Sequence, residues 1–235
     1  MAENKLRPRH ELEDVLKGIS NSLHLSGMHL ELSSEERMDS LILFLKENFW
    51  IDEPLCKSLG LKVCEDTTRR TASRLKDNLS ILMVSNTTGD IIGCRTMCIE
   101  TLNEADDTAV LQIQNENLKK IRTFLAHKSE ENNVFKHFGV KKAVHFLHLS
   151  TGKNYQGRGI ASKLMQASLA FCKELGFTQV CVAGDCTSNI SQKIFEKFDF
   201  ENLYTVRYDE YKVNDEIVFT NMGDNKVAKF FVKQL

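Results

Sequence analysis

Leu149-Ser-Thr-Gly-Lys-Asn-Tyr-Gln-Gly-Arg-Gly-Ile-Ala-Ser-Lys-Leu-Met165 joins the end of an apolar run to the start of an amphipathic helix. The joint is a loop holding Gly157 and Gly159. A loop of this kind leaves several backbone N–H groups unpaired at the positive end of the helix dipole, which makes it a cradle for a diphosphate. The spacing does not fit the P-loop, which needs four residues between its glycines and then Gly-Lys-Ser/Thr. It does not fit the dinucleotide fingerprint either, because no third glycine follows at the required place.

Working outward, Ala143–Leu149 reads as the strand that feeds the loop. Helix 159–175 leaves it, with Ile160, Leu164, Met165, Ser168, Phe171 and Leu175 on one side and Gly176 as its cap. Downstream, the pattern predicts a strand over Phe177–Ala183, a helix over Ser188–Phe198 and two strands near Leu203–Tyr211 and Glu216–Thr220. Upstream, Ser80–Ser85, a turn at Thr88-Gly89-Asp90 and Ile91–Glu100 form a β-hairpin pattern. Residues 102–142 are polar and helical in character, with Leu118, Ile121, Leu125 and Phe135 facing inward. Leu23 to Leu32 alternates like a strand interrupted at Gly27, and Ser33-x-x-Glu36 reads as a capping box. The helix it opens has Met38, Leu41, Ile42, Leu45 and Phe49 on one face and ends near Ile51; another helix starts at Pro54. This order predicts an α/β fold with a mixed sheet and helices on both faces. Residues 1–20 are expected to be a polar, partly ordered arm, and residues 21–235 one domain.

Composition narrows the function. At 235 residues and 42% hydrophobic, the chain can bury one good core. A net charge of −1 gives no footprint for nucleic acid. No apolar stretch approaches the ~20 residues that span a bilayer, and the first ten residues lack an apolar signal core. Seven scattered cysteines suggest reduced thiols and a cytoplasmic protein, with no metal-ligand cluster among them.

Three segments in order carry a resemblance to a known family. The Gln156-x-x-Gly159-x-Ala161 spacing resembles the coenzyme A pyrophosphate loop of the GNAT superfamily of N-acetyltransferases. Phe49-Trp-Ile-Asp-Glu-Pro-Leu55 resembles the aromatic-x-x-Asp-Glu-Pro-Leu segment of its insect arylalkylamine N-acetyltransferases, and Asn154–Ala161 is similar to their Asn-Tyr-Arg-Gly-Leu-Gly-Ile-Ala loop. Cys186-Thr-Ser-Asn-Ile-Ser191 with Glu196-Lys-Phe-Asp-Phe200 resembles their serine-rich helix and its end. The resemblance spans residues 22–225 and implies the GNAT fold, with a mixed, mostly antiparallel sheet.

A primary amine with a pKa near ~10 arrives protonated, so its acetylation needs a proton acceptor. In the resembled family the glutamate of Asp-Glu-Pro-Leu is that base, a role the resemblance carries to Glu53. The plainer alternative is that Asp52 or Glu53 only caps the next helix. The family's two hydroxyl residues on the later helix correspond to Thr187 and Ser191, which would bind the sulfur or order water toward Glu53. Helix capping by Thr187 or Ser188 is the alternative. Phe195 stands where many GNAT enzymes place a tyrosine acid, so that role is excluded here. Acetyl-CoA is expected along Leu149, Ser150 and Thr151, which would pair with its pantetheine arm. Its pyrophosphate is expected over Gln156, Gly157, Arg158, Gly159, Ile160 and Ala161. His145 and His148, three residues apart on a strand, point to opposite faces, so at most one can serve a given site.

No cysteine stands in a nucleophile setting, which predicts direct transfer in a ternary complex without a metal. The expected acceptors are small arylalkylamines of the dopamine, serotonin, tyramine or octopamine type, bound by a monomer or weak dimer. Agmatine or polyamines, protein acetylation, and a non-catalytic coenzyme A sensor are the alternatives.

Overall fold

In the computed structural model, which describes residues 5–102, 112–126 and 132–235, strand β2 (Ile81–Ser85) is buried on both faces. Ile81 and Met83 join one apolar layer, Leu82 and Val84 the other. That alternation requires helices on both sides of the sheet. β1 (Met28–Leu32), β2, β3 (Ile91–Thr101) and β4 (Lys142–Thr151) follow one another antiparallel. The seven-stranded sheet continues through β5 (Cys181–Cys186) to β6 (Glu201–Arg207), with β9 (Val227–Gln234) inserted between those two. Among the described strands only β4 and β5 are parallel, pairing at Val144–Val182, His145–Ala183 and Phe146–Gly184. Beyond Phe146 and Gly184 the two strands part, leaving one edge of β4 open from Leu147 to Thr151.

The first layer packs α1 (Arg9–Ser22) and a long helix at Ile160–Lys173 against the sheet. The second holds α2 (Glu35–Asn48), α3 (Pro54–Leu59), α4 (Glu65–Arg74) and α5 (Glu116–Ala126). A short α6 (Val134–Phe138) precedes β4; the long helix is α7, and α8 (Asn189–Lys197) follows β5. The mixed α/β architecture and the hairpin are those expected. All six inward residues named for α7 are buried.

Several expectations change. Residues 9–20 are not an arm: Leu12, Val15, Leu16 and Ile19 recur at helical spacing, and Leu12 and Leu16 are buried. Residues 1–4, 103–111 and 127–131 lie outside the described residues, and with them part of the expected helical stretch 102–142. The N-cap of α2 is Ser34, whose hydroxyl accepts the Arg37 N–H and donates to Glu36. Ser33, the expected cap, is buried and instead accepts the Ser80 N–H. α2 ends at Asn48 rather than near Ile51. β5 starts at Cys181, not Phe177, and runs on to Cys186 because β9 pairs with it throughout. The strand expected at Glu216–Thr220 is a two-residue pairing, β7 (Lys212–Val213) with β8 (Glu216–Ile217). Its turn holds Asn214 and Asp215, both at positive φ, the tight-turn geometry of a hairpin.

Candidate active site

Two features meet along β4. The first is the loop. Gly152 N–H bonds Ile92 carbonyl at 2.7 Å, fixing the strand end to β3. A short 3₁₀ turn (Lys153–Tyr155) and the chain from Gln156 then swing to α7. Gly157 and Gly159 have φ of 74° and 76°, a region side chains rarely enter. No atom stands within 4 Å of where a Cβ would be at either glycine, so the loop faces open space. No side chain caps α7, whose N-cap is Gly159. Its first intrahelical bond runs from Lys163 N–H to Gly159 carbonyl at 3.1 Å. The N–H groups of Ile160, Ala161 and Ser162 lie before that bond and point out of the helix start. These residues fit a pyrophosphate.

The second feature is a cavity of about 140 Å³ walled by α2–α3, α4, α5, β4 and β5. His148 is the last β4 residue lining it, and Gly152, where the loop begins, is four residues on. At strand spacing that is roughly 13 Å, so one strand leads from loop to cavity.

Glu53 lies at the wall of this cavity. It is the N-cap of α3, its Oε2 accepting the Cys56 N–H at 2.7 Å. Pro54 supports the position, since it favours an extended residue before it and suits the first helical turn. The other oxygen, Oε1, accepts the Thr187 hydroxyl at 2.8 Å, a contact between residues 134 apart in sequence. Tyr208 Oη donates to the Thr187 carbonyl at 2.7 Å and fixes the β5–α8 turn. Among the described residues Glu53 is in no ion pair, whereas Asp185, the other carboxylate of the wall, lies 3.4 Å from His145 Nε2. Burial, reinforced by the charge of Glu53 and a hydrogen bond to it, raises the Cys56 thiol well above its usual range.

The profile of the acetyltransferase (GNAT) domain matches residues 95–223, more than half of the chain. The chain belongs to the GNAT acetyltransferase family. Its match includes the loop and Thr187, while Glu53 lies ahead of it. Arylalkylamine N-acetyltransferase 2 from Aedes aegypti is a structural neighbour of this acetyltransferase. It has 28% identity and a TM-score of 0.80, with 88% of this chain and 98% of that one covered. A mosquito arylalkylamine N-acetyltransferase-like 5b shares the fold at 21% identity, TM-score 0.80 and coverage of 88% and 100%. So does the Drosophila melanogaster polyamine N-acetyltransferase that forms N-acetylagmatine, at 18% identity, TM-score 0.78 and coverage of 88% and 100%.

In this acetyltransferase the two hydroxyls do not share a helix face. Thr187 precedes Ser188, the N-cap of α8, and reaches Glu53. Ser191 forms a capping box with Ser188: its Oγ takes the Ser188 hydroxyl at 3.0 Å and donates to the Ser188 carbonyl at 2.9 Å. It is not among the residues lining the cavity.

The histidines also differ from the expectation. Arg95 faces Leu149 and Met97 faces Phe146, so Leu147 and His148 together stand opposite Thr96. This bulge cancels the alternation, and both His145 and His148 line the cavity. Thr96 Oγ1 accepts the His148 N–H at 2.9 Å and lies 2.7 Å from Nδ1. Giving its own proton to Nδ1 satisfies the buried hydroxyl, which puts the ring proton on Nε2. Burial, with Arg74, Arg122 and Arg95 nearby, holds the His148 pKa down to about 3, so the ring is neutral at pH 7. His145 is the opposite case. Burial pulls it down, but Glu100, 2.9 Å from Nδ1 though off the N–H axis, and Asp185 raise it overall.

Sequence reading also missed Arg70, Arg74 and Arg122 in the wall. For Arg122 a signal existed: with Leu118, Ile121 and Leu125 it completes one helical stripe. No group of three His, Cys, Asp or Glu able to hold a metal occurs among the described residues. No helix among them is long and apolar enough to cross a membrane.

Proposed function

We propose that this acetyltransferase moves the acetyl group of acetyl-CoA to the primary amine of a small arylalkylamine, directly and within a ternary complex. The observation that carries this reading is Glu53, held by the Cys56 N–H and the Thr187 hydroxyl beside the strand that leads to the loop. Glu53 takes a proton from the incoming ammonium, directly or through one water. The free amine then forms the C–N bond as the C–S bond breaks; the second proton, shed by the new amide nitrogen, passes through water to the leaving thiolate, and Glu53 later returns the first to solvent. His148 is a poor rival base because its pKa is depressed, and His145 is occupied by Glu100 and Asp185. The N–H groups of Gly157, Gly159, Ile160 and Ala161, with Gln156 and Arg158 beside them, would hold the pyrophosphate. The open edge of β4 at Leu149, Ser150 and Thr151 would pair with the pantetheine arm and polarise the thioester carbonyl with one N–H.

Thr187 spends its hydroxyl proton on Glu53, so we assign it the positioning of that carboxylate rather than proton donation to sulfur. Ser191 holds the start of α8. Phe49 and Trp50, whose rings stand 4.7 and 6.0 Å from that of His148, give the cavity an aromatic end. Leu55, Leu61, Leu118 and Leu125 add apolar wall. This lining supports an aryl acceptor. Agmatine and polyamines carry a second cation, which Arg122 in the wall would repel.

The test is thiol release from acetyl-CoA with arylalkylamines, agmatine, polyamines and a peptide N-terminus. Faster turnover of the aryl compounds is expected. Turnover confined to diamines or the peptide would overturn the acceptor class, and acetyl-CoA binding without any turnover would favour the sensor.

A further inference from the structure

Arg122 stands out in the cavity wall: among the described residues it is in no ion pair. It comes from the middle of α5 and lines the wall with Arg70 and Arg74 of α4. Its Nε is shut off from solvent and has no hydrogen-bond partner among the described residues. The nearby acids are already shared: Glu100 lies against Arg74 and His145, and Asp185 against His145. Arg70 and Arg74 add like charge rather than relief. A guanidinium so placed is still cationic at neutral pH: burial and its arginine neighbours bring its pKa down only to about 10, with Asp185 and Glu100 pulling the other way. Asp185 and Glu100 offset that charge only in part, and leaving a buried guanidinium without a hydrogen-bonded anion is costly.

We propose that the acceptor carries an anionic oxygen group, carboxylate or phosphate, in addition to its amine, and that Arg122 binds that group. The inference rests on the reading of this cavity as the acceptor site. A planar guanidinium with several fixed donors suits either anion. The anion is not part of the cofactor loop, because Arg122 lines the cavity and the β4 lining of that cavity stops at His148, before Leu149–Thr151. An amine lacking the anion would leave the Arg122 Nε without a hydrogen-bond partner. A zwitterionic acceptor presents its ammonium to Glu53 and its anion to Arg122, cancelling both.

The experiment uses the full chain and matched acceptors that differ only in the anion: tyramine and tyrosine, tryptamine and tryptophan, ethanolamine and O-phosphoethanolamine. The aryl pairs test carboxylate and the last pair phosphate. Thiol release is followed for the wild type and Arg122→Gln. We expect kcat/KM to favour the anionic member of at least one pair by about 10- to 100-fold, the worth of a charge-assisted hydrogen bond. In Arg122→Gln that ratio falls at least tenfold, mostly through KM. Preference for the plain amine in every pair, or a ratio unchanged by the substitution, overturns the proposal and leaves the acetyl-transfer reading standing. A second readout needs no turnover: the wild-type Tm with 3-phenylpropionate against neutral 3-phenylpropanamide. A rise with the anion only, absent from a folded Arg122→Gln, supports the site. Equal shifts or none refute it, even if no amine is acetylated.

Discussion

Replacing Glu53 by glutamine separates the cap it forms from the base proposed for it. As a cap, Glu53 needs only an oxygen that accepts the Cys56 N–H, 2.7 Å away. A glutamine carbonyl supplies one, and its NH₂ then faces the Thr187 oxygen that now donates at 2.8 Å. The fold should lose little. As a base, however, the carboxamide accepts no proton from an ammonium, and the wall offers no ready substitute. His148 is held near pKa 3, and Asp185 is engaged with His145. Loss of a positioned general base lowers turnover by about 10²- to 10⁴-fold. Glu53→Ala should lose the same activity and, in addition, the cap, which is worth about 1 kcal/mol. For a chain of this size that is roughly 2–4 °C in Tm. Thiol release under saturating acetyl-CoA, thermal melts and acetyl-CoA titrations of the three proteins make the assay. The expected pattern is two inactive variants with wild-type acetyl-CoA affinity, of which only the alanine variant melts early. A glutamine variant that keeps a tenth or more of wild-type turnover would reduce Glu53 to a helix cap.

Gly159→Leu should weaken acetyl-CoA measurably in a binding titration, because the N-cap of α7 sits at φ 76°, where a side chain is strained. Unchanged affinity would remove the loop from the cofactor site. The two cavity histidines should bend stability in opposite senses with pH. His148 has a folded pKa of about 3 against ~6.5 unfolded. Between those values the unfolded chain binds the extra proton, so stability falls on acidification by up to about 1.4 kcal/mol per pH unit. His145, pulled down by burial but raised overall by Glu100 and Asp185, contributes stability that is full below ~6.5 and lost as pH climbs through its folded value. Melts from pH 5 to 8.5 should therefore show a flatter acid limb in His148→Gln and a flatter alkaline limb in His145→Gln; an acid limb as steep as wild type in His148→Gln contradicts the first.

What the sequence made legible was local. The glycine loop, the strand before it and the face of α7 lie within one short segment, and each rests on backbone geometry or on helical period. Glu53 and Thr187 could each be named, but their hydrogen bond joins α3 to the end of β5, a contact that no local pattern encodes. The histidines were misread because strand alternation assumes an unbroken ladder, and one extra residue opposite Thr96 reverses it. β9 was missed because its apolar core, Phe230–Val232, is only three residues long and flanked by Lys229 and Lys233. Its place between β5 and β6 is set by pairing with both strands. Arg122 was hidden by its charge, although its position on the α5 stripe was there to be read.

The most direct measurement is to mix the protein with stoichiometric acetyl-CoA, with and without an amine it turns over, and resolve the products by mass spectrometry. Direct transfer predicts free coenzyme A and N-acetylated amine in equal amounts, only when both substrates are present, with the protein mass unchanged. An acetylated protein formed before amine is added would contradict the account.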